Sequence, residues 1–180
     1  YGLMIMLTNH TPFSDTEKYG EYAVDMKETI TNEDGTTVEV VHPYMEGTKL
    51  GNYFKSVHYA DSALGQLFED LDANGLLDNT VVVLYGDHDA RLPRKDYDLL
   101  YNYDKKTNSV LSKDDPNYKE YDSYQYELGR KVPFIIWTKD MAGSKYNMEV
   151  TEVMGMYDAM PTLGNMFGFY NEYQLGHDIF

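Results

Sequence analysis

Two places in this sequence end an apolar run in residues that can hold a metal ion or move a proton. The first run, residues 3–7 (LMIML), leads into Thr8-Asn9-His10. The second, residues 80–85 (TVVVLY), leads into Gly86-Asp87-His88-Asp89. A short continuous apolar run reads as a buried strand, and in an open α/β sheet ligands gather beyond the carboxyl ends of the strands. Consecutive strand residues face opposite ways. Asp87 and His88 can therefore share one ion only if the backbone turns there, a freedom that Gly86 supplies. A carboxylate with an imidazole suits Mn²⁺, Zn²⁺ or Mg²⁺, the imidazole weighing against Mg²⁺. The same pair also reads as a helix cap followed by a surface histidine. His10 reads either as a hydrogen-bonded loop residue or as an acid/base group. Arg91, Arg94 and Lys95 place three cations within five residues just after Asp89. They form either a solvated cluster or an anion clamp, because guanidinium groups match phosphate oxygens bidentately. His42 and His58 default to structural roles, and His177, near the C-terminus, is within reach of the site in principle but is not expected there.

The elements that must position these groups follow from periodicity. Residues 52–73 read as a helix, with Phe54, Val57, Leu64, Phe68 and Leu71 on one stripe and Asn74-Gly75 as its stop. Asp61 falls within that stripe, where a carboxylate needs a partner. Its readings are a hydrogen bond to a nearby loop or support for the site. Residues 132–138 (VPFIIWT) read as a third strand, with Pro133 tolerated near its start. Residues 150–153 read as a short strand and 156–167 as a helix with Pro161 in its first turn. Two polar stretches interrupt this order. Residues 14–48 carry an Asp34-Gly35 turn signal between two short β-prone runs, and residues 96–127 hold seven tyrosines and few aliphatics. Both read as insertions in one domain portion spanning residues 1–180. Strands alternating with helices make the fold class α/β, with helices on both faces of the sheet.

Composition narrows the function classes. The 180 residues hold 30 acidic against 15 basic side chains, a formal net charge of −15, which disfavours nucleic acid as a partner. The absence of cysteine excludes disulfides, zinc–thiolate sites, a cysteine nucleophile and a cysteine-derived formylglycine within the segment. The start at Tyr1 without an initiator Met reads as a segment cut from a longer protein, with the sheet incomplete on its N-terminal side. Such an exposed sheet flank is expected to favour self-association of the fragment.

Taken together and in order, these motifs resemble the lipoteichoic acid synthase and phosphoglycerol transferase branch of the sulfatase and alkaline-phosphatase superfamily. Thr8-Asn9-His10-Thr11-Pro12-Phe13 resembles that branch's Thr-Asn-His-x-Pro-aromatic segment. Residues 53–71 resemble its helix with a Tyr-x-Asp core, here Tyr59-Ala60-Asp61. Residues 75–88 resemble its metal segment ending in Gly-Asp-His. Residues 132–137 and 157–163 complete the order. The resemblance implies an alkaline-phosphatase-like fold and the C-terminal part of its catalytic domain. It implies Asp87 and His88 as metal ligands, with Mn²⁺ favoured and Mg²⁺ or Zn²⁺ as alternatives, and His10 as a contact to a transferred phosphoglycerol group. Arg91 as a substrate contact rests on its chemistry alone. The implied activity is phosphoglycerol transfer from an anionic phospholipid. The implied setting is the extracellular face of the cell membrane, anchored through an N-terminal region absent here. The threonine nucleophile and a further acidic ligand of the family fall upstream of Tyr1, so the isolated chain is expected to be inactive, and neither Thr8 nor Thr11 replaces that nucleophile. The alternatives are a sulfatase or phosphodiesterase hydrolase with the same metal pair, or a non-catalytic binding module on the same fold.

Overall fold

The structure, a computed structural model, describes residues 1–42, 44–141, 143–145 and 147–180. Pro43, within the 14–48 stretch, lies outside them. The chain is mixed α/β and divides into two compact units, Tyr1–Leu77 with His88–Pro133, and Asp78–Asp87 with Phe134–Phe180.

The first unit is organised by α2 (Lys49–Ala73), preceded by α1 (Thr16–Tyr19), β1 (Met26–Thr31) and β2 (Thr37–His42). The Thr48 hydroxyl starts α2 by accepting the Gly51 N–H at 3.0 Å. The helix ends where Gly75 turns left-handed (φ 66°), so that the Gly75 N–H reaches the Asp72 carbonyl and the Leu76 N–H the Leu71 carbonyl. That paired return satisfies carbonyls the last turn leaves open. β1 and β2 form an antiparallel hairpin closed around Asp34-Gly35, where the Asp34 carboxylate accepts the Thr36 N–H and hydroxyl. Later in the chain come α3 (Arg94–Asn102), the two-residue strands β4 (Tyr103–Asp104) and β5 (Ser109–Val110), and α4 (Ser123–Leu128).

The core of this unit forms where three distant segments meet. Phe13, Leu50 and Leu92 are buried together, with Tyr53, Phe54, Ala90 and Tyr97 packed around them. The Tyr53 ring lies 5.2 Å from that of Phe13, and the Lys49 ammonium sits 5.7 Å above the Phe13 ring. Burying a Phe or Leu side chain contributes about 1.5–3 kcal/mol. This cluster therefore ties together the segment after His10, the first turn of α2 and the segment after His88.

The second unit contains β3 (Val82–Tyr85) and β6 (Phe134–Trp137), paired antiparallel from Val82↔Trp137 to Tyr85↔Phe134. It ends in α5 (Ala159–Phe167), which follows a 3₁₀ turn at Met156–Asp158. Pro161 and Thr162 are buried there, and Gly168 closes the helix in a left-handed conformation. Among the described residues, no helix is long and apolar enough to cross a membrane.

Four expectations are corrected. Residues 3–7 are not a buried strand: they join no ladder and stand 45–76 % exposed. A strand is stable only with a hydrogen-bonding neighbour, and no described segment pairs with them. Residues 150–153 likewise form no strand. Asp61 is exposed rather than on a core stripe, because α2 buries Leu50, Ser56 and Ala60 instead. The polar stretch 96–127, read without a helix, opens instead within one, residues 94–102, whose Tyr97 and Tyr101 stack with Tyr121.

Candidate functional site

Phe13 fixes one side of the site and Leu92 the other, so the segments three residues after His10 and four residues after His88 converge in one core. The result is that the His10 and His88 rings meet edge to face, with centroids 5.6 Å apart and planes at 80°. The strand-end reasoning placed these residues at one sheet edge. The Phe13–Leu50–Leu92 core brings the two histidines together, without any strand at residues 3–7.

Both histidines are held the same way. His10 Nδ1 lies 2.7 Å from the Thr11 carbonyl and His88 Nδ1 lies 2.6 Å from the Asp89 carbonyl. A carbonyl oxygen only accepts, so each Nδ1 donates, and an imidazole that holds its one proton there carries its lone pair on Nε2. That tautomer is the one a metal-binding or proton-accepting Nε2 requires, and a backbone carbonyl behind the other nitrogen is the usual support for a ligating histidine. Asp87 is exposed and follows Gly86 at the carboxyl end of β3. A carboxylate and an imidazole held through Nδ1 are donor types that suit a divalent ion of the Mn²⁺ or Zn²⁺ type. Among the described residues, no three His, Asp or Glu side chains gather around one point.

The loop after His88 is held by charge. The Asp89 carboxylate accepts the Arg130 Nε–H on one oxygen and the Arg91 N–H on the other, each at 3.0 Å. Partial burial pushes its pKa up, but the Arg130 and Arg91 hydrogen bonds and the Arg130 charge outweigh that and hold it below the ordinary carboxylate value. The same carboxylate faces Tyr53 and Tyr97. Burial, helped by the Asp89 charge, raises the Tyr53 pKa, and Tyr97 is pushed up to about 12 by burial and then by neighbouring tyrosines and Asp89. Both phenols therefore stay protonated donors at any physiological pH.

The remaining sequence candidates separate from this centre. Arg91 is exposed, with a left-handed backbone (φ 51°), and its N–H serves Asp89. Arg94 donates to the Tyr121 carbonyl and to the Ser123 hydroxyl, so it braces a loop. His42 contacts Glu28 across the hairpin at 3.2 Å, and His58 stacks on Tyr22 at 3.8 Å. His177, in the second unit, gives its backbone N–H to Asp158. An open cavity of about 320 Å³ lies against His10, lined also by Thr8, Thr11, Ser14 and Tyr19. The sequence reading missed Phe13, Leu92 and Arg130. Phe13 lies within a quoted motif, whereas Arg130 sits 41 residues from Asp89 and carries no local signal.

Comparison with known proteins identifies the family and the fold. Residues 3–169 match the family described as Sulfatase. Lipoteichoic acid synthase 2 of Bacillus subtilis (strain 168) is 30% identical over 169 residues, covering 93% of this chain and 20% of that protein. Lipoteichoic acid synthase 1 of the same organism is 30% identical over 182 residues, covering 100% of this chain and 23% of its own length. The crystal structure of the lipoteichoic acid synthase LtaP from Listeria monocytogenes superposes with a TM-score of 0.52 at 28% identity, over 93% of this chain and 33% of that one. The chain thus spans about a fifth to a quarter of the two Bacillus relatives and shares the α/β fold of the solved one.

Proposed function

This chain belongs to the sulfatase family, and from that membership we propose that it is part of a metal-dependent phosphoglycerol transferase acting in lipoteichoic acid-type polymer synthesis on the outer face of the cell membrane. The observation that carries the reading is the His10–His88 pair, 5.6 Å apart, each ring donating through Nδ1 to the following carbonyl. The named relatives, all lipoteichoic acid synthases, support the substrate class: an anionic phospholipid donor of phosphoglycerol.

Each residue has one task in this scheme. Asp87 and His88 Nε2 would hold the divalent ion, Mn²⁺ before Mg²⁺ or Zn²⁺. When bound, such an ion supplies Lewis acidity toward phosphoryl oxygens. His10 directs Nε2 at the transferred group, where it hydrogen-bonds an oxygen or accepts a proton. Arg91, exposed and three residues after His88 in sequence, would offer a guanidinium to the phosphate. The nucleophile and a further acidic ligand are assigned to sequence outside these residues, which leaves the isolated chain inactive. The polar stretches 14–48 and 96–127 are read as insertions on the one catalytic domain. The family match also admits hydrolysis of a sulfate ester or of a phosphodiester by the same groups.

The test is the intact protein with His10→Ala, assayed for phosphoglycerol transfer from phosphatidylglycerol and for bound Mn²⁺. Transfer falls while metal content is unchanged. Loss of metal with that substitution would make His10 a ligand and overturn its assigned role.

A further inference from the structure

Arg130 lies far from His88 in sequence, yet the structure joins them through one residue. The Arg130 Nε donates to Asp89 Oδ1 at 3.0 Å, and Nη1 donates to Glu127 at 2.9 Å. The second Asp89 oxygen accepts the Arg91 N–H. With both oxygens engaged and its side chain only 10% exposed, Asp89 has little freedom to rotate. Its carbonyl is the group that accepts the His88 Nδ1–H at 2.6 Å.

Two further links fasten the same stretch to the same partner segment. The Tyr126 hydroxyl donates to the Leu92 carbonyl at 2.9 Å, and Arg94 donates to the Tyr121 carbonyl at 2.6 and 3.2 Å. The partner segment is itself shaped by a reciprocal cap at the start of α4. There the Asp122 carboxylate accepts the Gln125 N–H and the Gln125 side chain accepts the Asp122 N–H. Residues 121–130 therefore press along residues 89–94 at three points.

We propose that Arg130, acting through Asp89, is a positioning residue that fixes the Nδ1–H tautomer and ring orientation of His88 so that its Nε2 faces the metal. The proposal rests on the reading of His88 as a metal ligand. Its chemistry is a relay of orientation rather than of protons. The guanidinium pins the carboxylate, the pinned residue sets the carbonyl, and the carbonyl holds the proton on Nδ1. Losing such a support behind a ligating histidine typically lowers metal affinity 10- to 100-fold. Because Arg130 is 42% exposed, replacing it removes no core volume.

The experiment uses the intact protein, uniformly ¹⁵N-labelled, with Arg130→Met, Arg130→Lys, Asp89→Asn, Glu127→Gln and His88→Ala. His88 ring nitrogen shifts report the tautomer in the metal-free protein, and calorimetric titration reports Mn²⁺ affinity. Arg130→Met and Asp89→Asn should move His88 toward the Nε2–H tautomer and weaken Mn²⁺ binding by about 10- to 100-fold. Arg130→Lys, which still reaches Asp89 with a cation, should recover part of the loss, and Glu127→Gln should match the wild type. His88→Ala abolishing Mn²⁺ binding while Arg130→Met retains both wild-type affinity and the Nδ1–H signature would overturn this relay alone. Wild-type Mn²⁺ affinity in His88→Ala would overturn the underlying reading of His88 as a ligand.

Discussion

Two glycines of α2 are expected to respond to the same substitution with opposite signs. A Cβ at Gly51 would lie 2.1 Å from the Met45 carbonyl oxygen, 2.9 Å from its carbon and 3.2 Å from a Val24 methyl. Ordinary contact begins near 3.4 Å, so the backbone of Met45 must retreat by more than 1 Å. That carbonyl already accepts the Thr48 hydroxyl at 2.6 Å and the Thr48 N–H at 3.1 Å, and Thr48 caps the helix. Moving it disturbs the cap as well as the packing. Overpacking costs about 1–3 kcal/mol, and loss of an N-cap adds about 1 kcal/mol. Gly51→Ala should therefore destabilise by roughly 2–4 kcal/mol, a melting shift of roughly −5 to −15 °C at 2–4 °C per kcal/mol. At Gly65 a Cβ meets nothing within 4 Å. Gly65→Ala should stabilise by about 0.5–1 kcal/mol through helix propensity. Thermal and urea unfolding followed by circular dichroism measure both. The site should feel only the first change, because Leu50, Tyr53 and Phe54 of the same turns hold Phe13. A Gly51→Ala protein melting within a degree of wild type, or the two variants shifting together, would refute the close approach of α2 to Met45.

Two buried aspartates should respond oppositely to acid. The Asp158 carboxylate accepts the His177 and Gly155 N–H groups at 3.0 and 2.7 Å, which holds its pKa below the ordinary 3.8. Its contribution is present above pH 3.8 and is lost as pH falls through the lowered folded value. Asp158→Ala should lower the urea midpoint at pH 7 and flatten its fall at acid pH. Asp96 is 6% exposed with Oδ2 lacking a hydrogen-bond partner, and burial raises its pKa against the pull of Lys95 and Lys49. With a raised folded value, its cost is absent below pH 3.8 and grows as pH rises through that value. Asp96→Asn should therefore raise the urea midpoint at pH 7 and leave it nearly unchanged near pH 3.

Much of the local structure was legible because it depends on local signals. Helix α2 and its Asn74-Gly75 stop, the Asp34-Gly35 hairpin, the Val- and Ile-rich strands and Pro161 in the first turn of α5 all appear where the pattern puts them. What the pattern could not give was partnership. Residues 3–7 are as apolar as a buried strand, but burial is decided by a neighbour, and none is described beside them. Helix α3 lacked the aliphatic stripe that periodicity detects. It is held instead by tyrosine stacking at 4.6–6.5 Å, which depends on Tyr121 some twenty residues away. The two histidine-bearing segments were legible as motifs. Their meeting was not, since it depends on Phe13 and Leu92 burying against the same turn of α2. Asp89 gained its structural task from Arg130 in the same non-local way.

The assignment of Asp87 and His88 as the residues that hold the ion is tested most directly by anomalous diffraction from crystals of the intact protein grown with Mn²⁺. The account predicts an anomalous peak coordinated by the Asp87 carboxylate and His88 Nε2, and its disappearance in Asp87→Ala crystals. A Mn²⁺ peak coordinated by other side chains, with Asp87 and His88 untouched, would contradict it.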